Sequence, residues 1–541
     1  MQERPWFNNW PADLPKSLAY PQVPLHTLLS EAAKKHPNQT AIAFQDTELS
    51  YVRLESLSDS FAVALKRLEV KKGDCVAVFL PNIPQFVIAY YGALKAGAVL
   101  TALSPLHKER EVEHQLVDSE AQTIVVLDSL YPIVELVRHK TKIQHIIVAG
   151  LEEYATQTGV TVEVEHKSDV YSFQELIKLN LNAKPPSTAI DPAEDLAALQ
   201  YTGGTTGTAK AAMLTHSNLV ANATAFASWI KGTVNDVFLV ALPLFHIYGM
   251  TTSLNVPFSL AAKMVLLSKF DPIKVLQAIE RHRVTVYCGS PTMYSILLAN
   301  PELNKHALSS IRVCISGASP LSPQVQKKFM DVTGGLLAEG YGLTEASPVT
   351  HCNPVDHTMR LVKVGSIGLP ILGTDAKIVD LETGTKLLKP NEIGELAVKG
   401  PQVMKGYWRK ADETASVLRD GWLLTGDIAK MDEAGYFYIT DRKKDLIKYK
   451  DYSVYPRELE DVLYEHPAVK LCAVVGKTIP DVGEIPKAFV VLKDGVEVPA
   501  KEIVEFVNGK VAPYKAIREI EIRKELPLGS AGKVLRRVLR S

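Results

Sequence analysis

The chain has 541 residues, 46% of them hydrophobic, more than one ordinary core organises, so two or more domains are expected. Sixty Lys plus Arg stand against 60 Asp plus Glu, which leaves no net field to favour nucleic acid or an anionic membrane. The 5 cysteines are odd in number, widely spaced and set in apolar runs such as Val313-Cys-Ile315, so they predict buried thiols in a reducing compartment and no disulfide framework or zinc site.

The amino terminus, Met1-Gln-Glu-Arg-Pro-Trp6, lacks the apolar centre of a signal peptide, and no stretch offers about 18 uncharged apolar residues, so a cytoplasmic protein without a transmembrane segment is expected. Between about 25 and 190, amphipathic helical stretches (Ser58 to Leu68, Phe86 to Leu94) alternate with apolar runs (Cys75-Val-Ala-Val-Phe-Leu80). That alternation predicts α/β structure with covered, largely parallel sheets. Leu196 to Tyr201 then predicts a buried strand entering the loop Thr202-Gly-Gly-Thr-Thr-Gly-Thr-Ala-Lys210, and Ala211 to Leu214 a short strand leaving it.

This loop is built for phosphate. The glycines Gly203, Gly204 and Gly207 let successive N–H groups face one anion, hydroxyls such as Thr202, Thr205 and Thr206 add donors, and Lys210 adds charge. It is not a Walker A loop, because Ala209 and Ala211 flank Lys210 where Gly-Lys-Ser/Thr should open a helix. Ser217 is expected to cap the next helix, which carries Leu219, Ala223, Phe226 and Ile230 on one face. The strand Ile311 to Ile315 ends in Ser316-Gly-Ala-Ser-Pro320, and small residues after a strand mark an α/β ligand site, so Gly317, Ala318 and Ser319 are candidates.

From Gly365 to Asp441 short β runs and turns predict a β-rich subdomain. The charged run Asp441-Arg-Lys-Lys-Asp445 is expected to be a hinge or a solvated turn. Beyond it a helix (Pro456 to Tyr464), two strands (Leu471 to Val475, Ala488 to Leu492) and a helix (Glu502 to Val507) predict a small α+β domain of about 100 residues. The expected division is 1–441 and 442–541, with the β-rich part at about 365–441.

Further segments carry chemistry. In Glu339-Gly-Tyr-Gly-Leu-Thr-Glu345, Tyr341 offers an aromatic face to a base, Gly340 and Gly342 admit close backbone approach, and Thr344 and Glu345 suit a phosphate and its Mg²⁺. Asp427, ending Gly421-Trp-Leu-Leu-Thr-Gly-Asp427, can accept both ribose hydroxyls, and Arg442 adds a fork of donors. Lys533 ends the flexible Pro527-Leu-Gly-Ser-Ala-Gly-Lys533, which can carry its ammonium to a reacting phosphate.

These five segments, in this order, resemble the acyl-adenylate-forming superfamily: acyl-CoA synthetases, coumarate-CoA ligases, firefly luciferases and the adenylation domains of peptide synthetases. The resemblance covers nearly the whole chain and is nearest to fatty-acid-CoA ligases. It implies ATP/AMP, Mg²⁺ and coenzyme A, with a small-molecule carboxylic acid joined to AMP and then to a thiol. Lys533 matches the lysine of the adenylation step, Glu345 and Thr205 the metal site, and Lys444 the hinge. Ile439, Lys448, Lys450, Asp451 and Tyr452 match further nucleotide and coenzyme A contacts. Pro243-Leu-Phe-His246-Ile-Tyr248-Gly249-Met250 matches the acyl-pocket segment, with His246 at the gate, and Gly317, Gly340 and Gly342 complete that pocket.

A medium- or long-chain fatty acid is favoured over an aryl acid. Asp451 stands where the family has glycine, which puts the thioester step in doubt; an adenylating enzyme with weak coenzyme A transfer and a silent binding relative are the rival readings. A monomer or homodimer and a transient membrane contact both stay open. Lys533→Ala should slow acyl-adenylate formation by on the order of 10²–10³, read as pyrophosphate release. Unchanged release would remove Lys533 from that role.

Overall fold

Apolar runs of four to seven residues, separated by helices, place the chain's strands in two large sheets. The structure, a computed structural model, describes residues 4–155, 167–202, 209–449, 452–479, 483–529 and 534–540. The candidates Gly203, Gly204, Thr205, Thr206, Gly207, Lys450, Asp451 and Lys533 lie outside the described residues.

One sheet has eight strands in the spatial order Gly406–Tyr407, Lys210–Thr215, Leu196–Thr202, Val99–Ala102, Cys75–Phe79, Thr123–Leu127, His145–Ala149 and Val170–Ser172. Its interior pairs are parallel and its first two pairs antiparallel. Cys75–Phe79 is buried at every position, as a strand covered on both faces must be. The helix Pro84–Lys95 behind it is buried all round, down to Lys95, whose ammonium meets Asp59 at 2.6 Å and Glu55 at 2.7 Å.

The second sheet has nine strands. Its parallel centre includes Thr40–Phe44, Lys263–Leu266, Val237–Val240, Val286–Gly289, Val313–Ser316 and Leu336–Gly342. Leu336–Gly342 then turns back antiparallel onto Val349–Cys352, with a register shift between Tyr341 and Gly342. One continuous core joins both sheets. The expected α/β class is therefore what the chain adopts. All five cysteines are buried free thiols.

A third sheet, antiparallel, holds Asp375–Val379, Gly394–Lys399, Leu418–Arg419, Trp422–Met431 and Phe437–Arg442. Gly406–Tyr407 leaves this β-rich region and pairs with the strand that follows the glycine loop, Tyr407 opposite Ala212. The fourth sheet, Ile447–Tyr449, Tyr452–Val454, Val469–Ile479, Gly483–Leu492 and Glu519–Ile522, packs the helices Pro456–Tyr464 and Ala500–Asn508 over a separate core. Among the described residues no helix is long and apolar enough to cross a membrane.

Two local expectations are corrected. Thr215, not Ser217, caps the helix His216–Trp229: its hydroxyl accepts the N–H of Asn218, whose side chain returns the bond to the Thr215 N–H. Ser217 sits inside the first turn. The charged run at 441–445 is a solvated turn only in part: Lys443 and Lys444 are exposed, while Asp441 and Asp445 are buried among arginines.

Gly342 is required by packing. A Cβ there would lie 2.1 Å from the carbonyl oxygen of Pro348. Gly342→Ala should lower stability by about 2 kcal/mol, as overpacked sites do, in urea unfolding followed by circular dichroism. A loss below about 0.5 kcal/mol, the range of neutral surface changes, would contradict this.

Candidate active site

Asp427 and Arg442 face each other across the antiparallel pair Trp422–Met431 and Phe437–Arg442. Their side chains meet, Arg442 Nε to Asp427 Oδ1 at 3.0 Å, and the other oxygen of Asp427 accepts the hydroxyl of Tyr341. The Asp427 side chain is 4% exposed. Burial, and then the charge of Asp427, holds the Tyr341 phenol well above its usual range, so it stays a neutral donor. Gly426, with φ +72°, supplies the left-handed turn that aims Asp427 inward. The Asp427 carboxylate is thus an acceptor shared by two donors. Tyr341 stands edge-on to His351, 6.0 Å between ring centres. The carbonyl of Ile439 accepts from Arg457 at 2.8 Å.

Thr344 opens the short turn Thr344–Ala346, and Glu345 Oε1 accepts the hydroxyl of Tyr407 at 2.7 Å. The Tyr407 ring in turn carries Lys210 Nζ at 5.2 Å from its centre, and Glu413 lies 3.9 Å from that ammonium. Tyr407 thus joins the lysine of the glycine loop to the candidate metal ligand. The helix Glu109–Ser119 braces both ends of the loop: Tyr201 donates to Asp118 at 2.7 Å, and His114 Nε2 lies 3.1 Å from the carbonyl of Ala209. Thr202 and Lys210 pair across the strands flanking the loop. A cavity of about 170 Å³ lies against Glu345, Tyr407, Thr425 and Gly426, and a recess of about 310 Å³ against Arg442, Lys443 and Lys444. Thr425, Gly426 and Lys443 line both, so one groove runs from Glu345 to Lys444. Burial, with Arg442 beside it, pushes the Lys444 ammonium down to about 8.

The acyl-pocket candidates gather at the end of the nine-stranded sheet. Tyr248 donates to the carbonyl of Ile315 at 2.9 Å, and its ring lies where a side chain on Gly317 would sit, 3.0 Å from the position of a Cβ. A Cβ on Gly340 would meet Ile315 at 3.2 Å, and one on Gly249 would strike the carbonyl of Pro243 at 2.3 Å. Met250–Asn255 winds as a π-helical turn, buried throughout. Nδ1 of His246 accepts the N–H of Tyr248 at 3.2 Å, and burial pushes its imidazole down to about 4, so it is neutral at pH 7. Ala318 holds φ +69°, a left-handed backbone rare outside glycine, beside Ser319 at the strand end. Ser316 Oγ is buried without a hydrogen-bond partner among the described residues.

Lys448 and Tyr452 engage the carboxyl-terminal module itself. The Lys448 N–H donates to Glu484 at 2.9 Å and its ammonium to Ser453 at 3.3 Å, while Tyr452 stacks on Tyr514 at 4.5 Å. The structure thus splits the candidate set into one cluster on the first three sheets and another on the small module. Tyr407, His114, Asp118 and Glu395, which pairs with Lys443 at 2.9 Å, were not foreseen, because each reaches its partner from a distant segment without a local motif.

Residues 29–408 match the model of the AMP-binding enzyme family, and 458–533 that of the AMP-binding enzyme C-terminal domain. The chain belongs to the AMP-binding enzyme family. A long-chain-fatty-acid–CoA ligase of Bacillus subtilis is 43% identical over 99% of this chain and 98% of its own. Among solved structures, ATP-bound MatB from Rhodopseudomonas palustris is 31% identical over 95% of this chain and 98% of its own, with TM-score 0.85. Apo MatB, with the same identity and coverage, overlays at 0.74, so this AMP-binding enzyme lies nearer the ATP-bound form.

Glu339, next to Gly340, is buried against the helix Pro456–Tyr464 of this AMP-binding enzyme, and burial raises its carboxyl to about 7 against the pull of Arg457. A carboxyl raised above its ordinary value of 4.5 favours the folded state while protonated. That contribution is whole below about pH 4.5 and lost as pH rises through about 7. Glu339→Gln should therefore flatten the fall in melting temperature across that window; an unaltered slope in calorimetry counts against the assignment.

Proposed function

We propose that this protein is an ATP-dependent fatty-acid–CoA ligase for medium- or long-chain acids, forming acyl-AMP and pyrophosphate and then acyl-CoA and AMP. The carrying observation is the groove from Glu345 to Lys444, lined by Glu345 and Tyr407 of the Lys210–Tyr407–Glu345 set at one end and by Arg442, the partner of Asp427, at the other. The full-length likeness to a long-chain-fatty-acid–CoA ligase supports the choice of acid.

In this reading Asp427 and Tyr341 hold the nucleoside, and Lys210 with the glycine-loop threonines holds the β- and γ-phosphates. The acid's carboxylate oxygen attacks the α-phosphorus, and the bond to pyrophosphate breaks. Lys533 and Arg442 offset the charge that builds there. Mg²⁺ would be held by Glu345 and Thr205 together with phosphate oxygens, and when bound it screens the triphosphate. A carboxylate and a hydroxyl are hard oxygen donors of the kind Mg²⁺ takes. His246, neutral and beside Tyr248, Gly249, Met250 and Gly317, walls the acyl side without placing a charge against an alkyl chain.

The same reading divides the chain at 441/442, with the small module turning about Lys444 between the two half-reactions. Lys448, Lys450, Asp451 and Tyr452 then belong to the face offered to coenzyme A. The thiol sulfur attacks the acyl carbon, its proton is lost, and AMP leaves. Pyrophosphate release against a panel of carboxylic acids, with and without coenzyme A, tests the reading. Release peaking with C8–C18 fatty acids, with an acyl-CoA product by mass spectrometry, is expected. A peak with aryl acids would overturn the acid class, release without acyl-CoA would overturn the second step, and no release would overturn the whole.

A further inference from the structure

The small module is held in its present place by bonds that cross the hinge, and most of them converge on one carboxylate. Asp441 lies on the strand Phe437–Arg442, before Lys444, and its Oδ2 accepts the N–H of Arg457 at 2.8 Å. Arg457 stands in the first turn of the helix Pro456–Tyr464, beyond Lys444. The first N–H groups of a helix have no partner within it, and the residue before this helix, Tyr455, offers no side-chain cap. Asp441 therefore caps the helix from across the hinge. Arg457 adds a second crossing bond through its guanidinium, which donates to the carbonyl of Ile439 at 2.8 Å.

Arg536 completes the set. It follows Lys533 by three positions. Its guanidinium lies 3.9 Å from Asp441, 3.2 Å from Asp445 and 2.5 Å from Glu460. Arg540 reaches Asp445 at 3.1 Å. Asp441 is 3% exposed, and burial raises its carboxyl to about 6 even with these partners, so its charge is tolerated only while they stay in place.

We infer that Asp441 is a positioning residue, a latch that holds the small module in the arrangement seen here by capping the helix Pro456–Tyr464 and, through Arg536, steadying the segment that bears Lys533. This rests on the two-part reading given above. Asp445, Glu460, Arg536 and Arg540 all follow Lys444, so the ion pairs among these four travel together when the module turns, whereas the approach of Arg536 to Asp441 spans the hinge. The bonds of Arg457 to Asp441 and Ile439 cannot, and turning must break them. Asp441 thus sets how readily the enzyme leaves this arrangement, which overlays better on ATP-bound than on apo MatB.

The test separates the half-reactions in the full-length enzyme. For Asp441→Ala, ATP–pyrophosphate exchange with a fatty acid should fall about tenfold, the scale of one charged hydrogen bond, while coenzyme A transfer from supplied acyl-AMP holds or rises. Asp441→Asn keeps an acceptor for the Arg457 N–H and should recover exchange to within about threefold of wild type. Fluorescent labels on Lys35→Cys and Lys501→Cys, both exposed, report the module's position without interference from the five buried native thiols. Asp441→Ala should broaden the energy-transfer distribution that wild type shows with ATP, and Arg457→Met should shift it the same way. Equal loss in both half-reactions with a wild-type distribution would make Asp441 merely structural and overturn the latch. So would wild-type behaviour of Asp441→Ala. If the labels on wild-type enzyme do not move between ATP plus acid and coenzyme A, the two-part reading fails and the latch falls with it.

Discussion

The carboxylate of Asp427 is the constraint on which the rest of the site depends. It is almost wholly out of water, and a charge so placed needs partners. It finds them in Tyr341, from the nine-stranded sheet, and Arg442, from the last strand before the hinge. Three parts of the chain are thereby tied to one atom group. Tyr341 and the strand that carries Arg442 cannot be placed independently, because shifting either strands the same buried charge.

Around this point the site balances its cations locally. Lys210 rests against Tyr407 and Glu413, Lys443 against Glu395, and Arg442 against Asp427. A polyanion entering the groove exchanges partners with groups that are already oriented, which lowers the ordering cost of binding. Lys444, proposed above as the hinge, stands beside Arg442 with its ammonium pushed down to about 8.

Much of this was readable in the chain, and the reasons differ by residue. The strands on either side of the Gly-Thr loop are legible because their apolar runs are local and uninterrupted in sequence. Capping at Thr215 over Ser217 was less so, since both are hydroxyl residues and only the reciprocal bond with Asn218 decides. Tyr407 gave no signal, because a two-residue strand has no periodicity and its partner strand lies nearly two hundred residues earlier in the chain. Likewise the burial of Asp441 and Asp445 follows from Arg457, Arg536 and Arg540, which lie far along the chain. Charge alone reads as solvent-facing; only the fold brings the counter-charges.

The short strand Gly406–Tyr407 has a consequence for biosynthesis. It pairs with the outer strand Lys210–Thr215 of the eight-stranded sheet and delivers the phenol that bonds Glu345. An emerging chain can build the strands Leu196–Thr202 and Lys210–Thr215 long before that edge is covered, so the loop's sheet stays open through the synthesis of nearly two hundred further residues. An exposed strand edge is a template for association with other chains. The strand pair that flanks the glycine loop is thus available early and covered late, and in the interval its open edge can mispair.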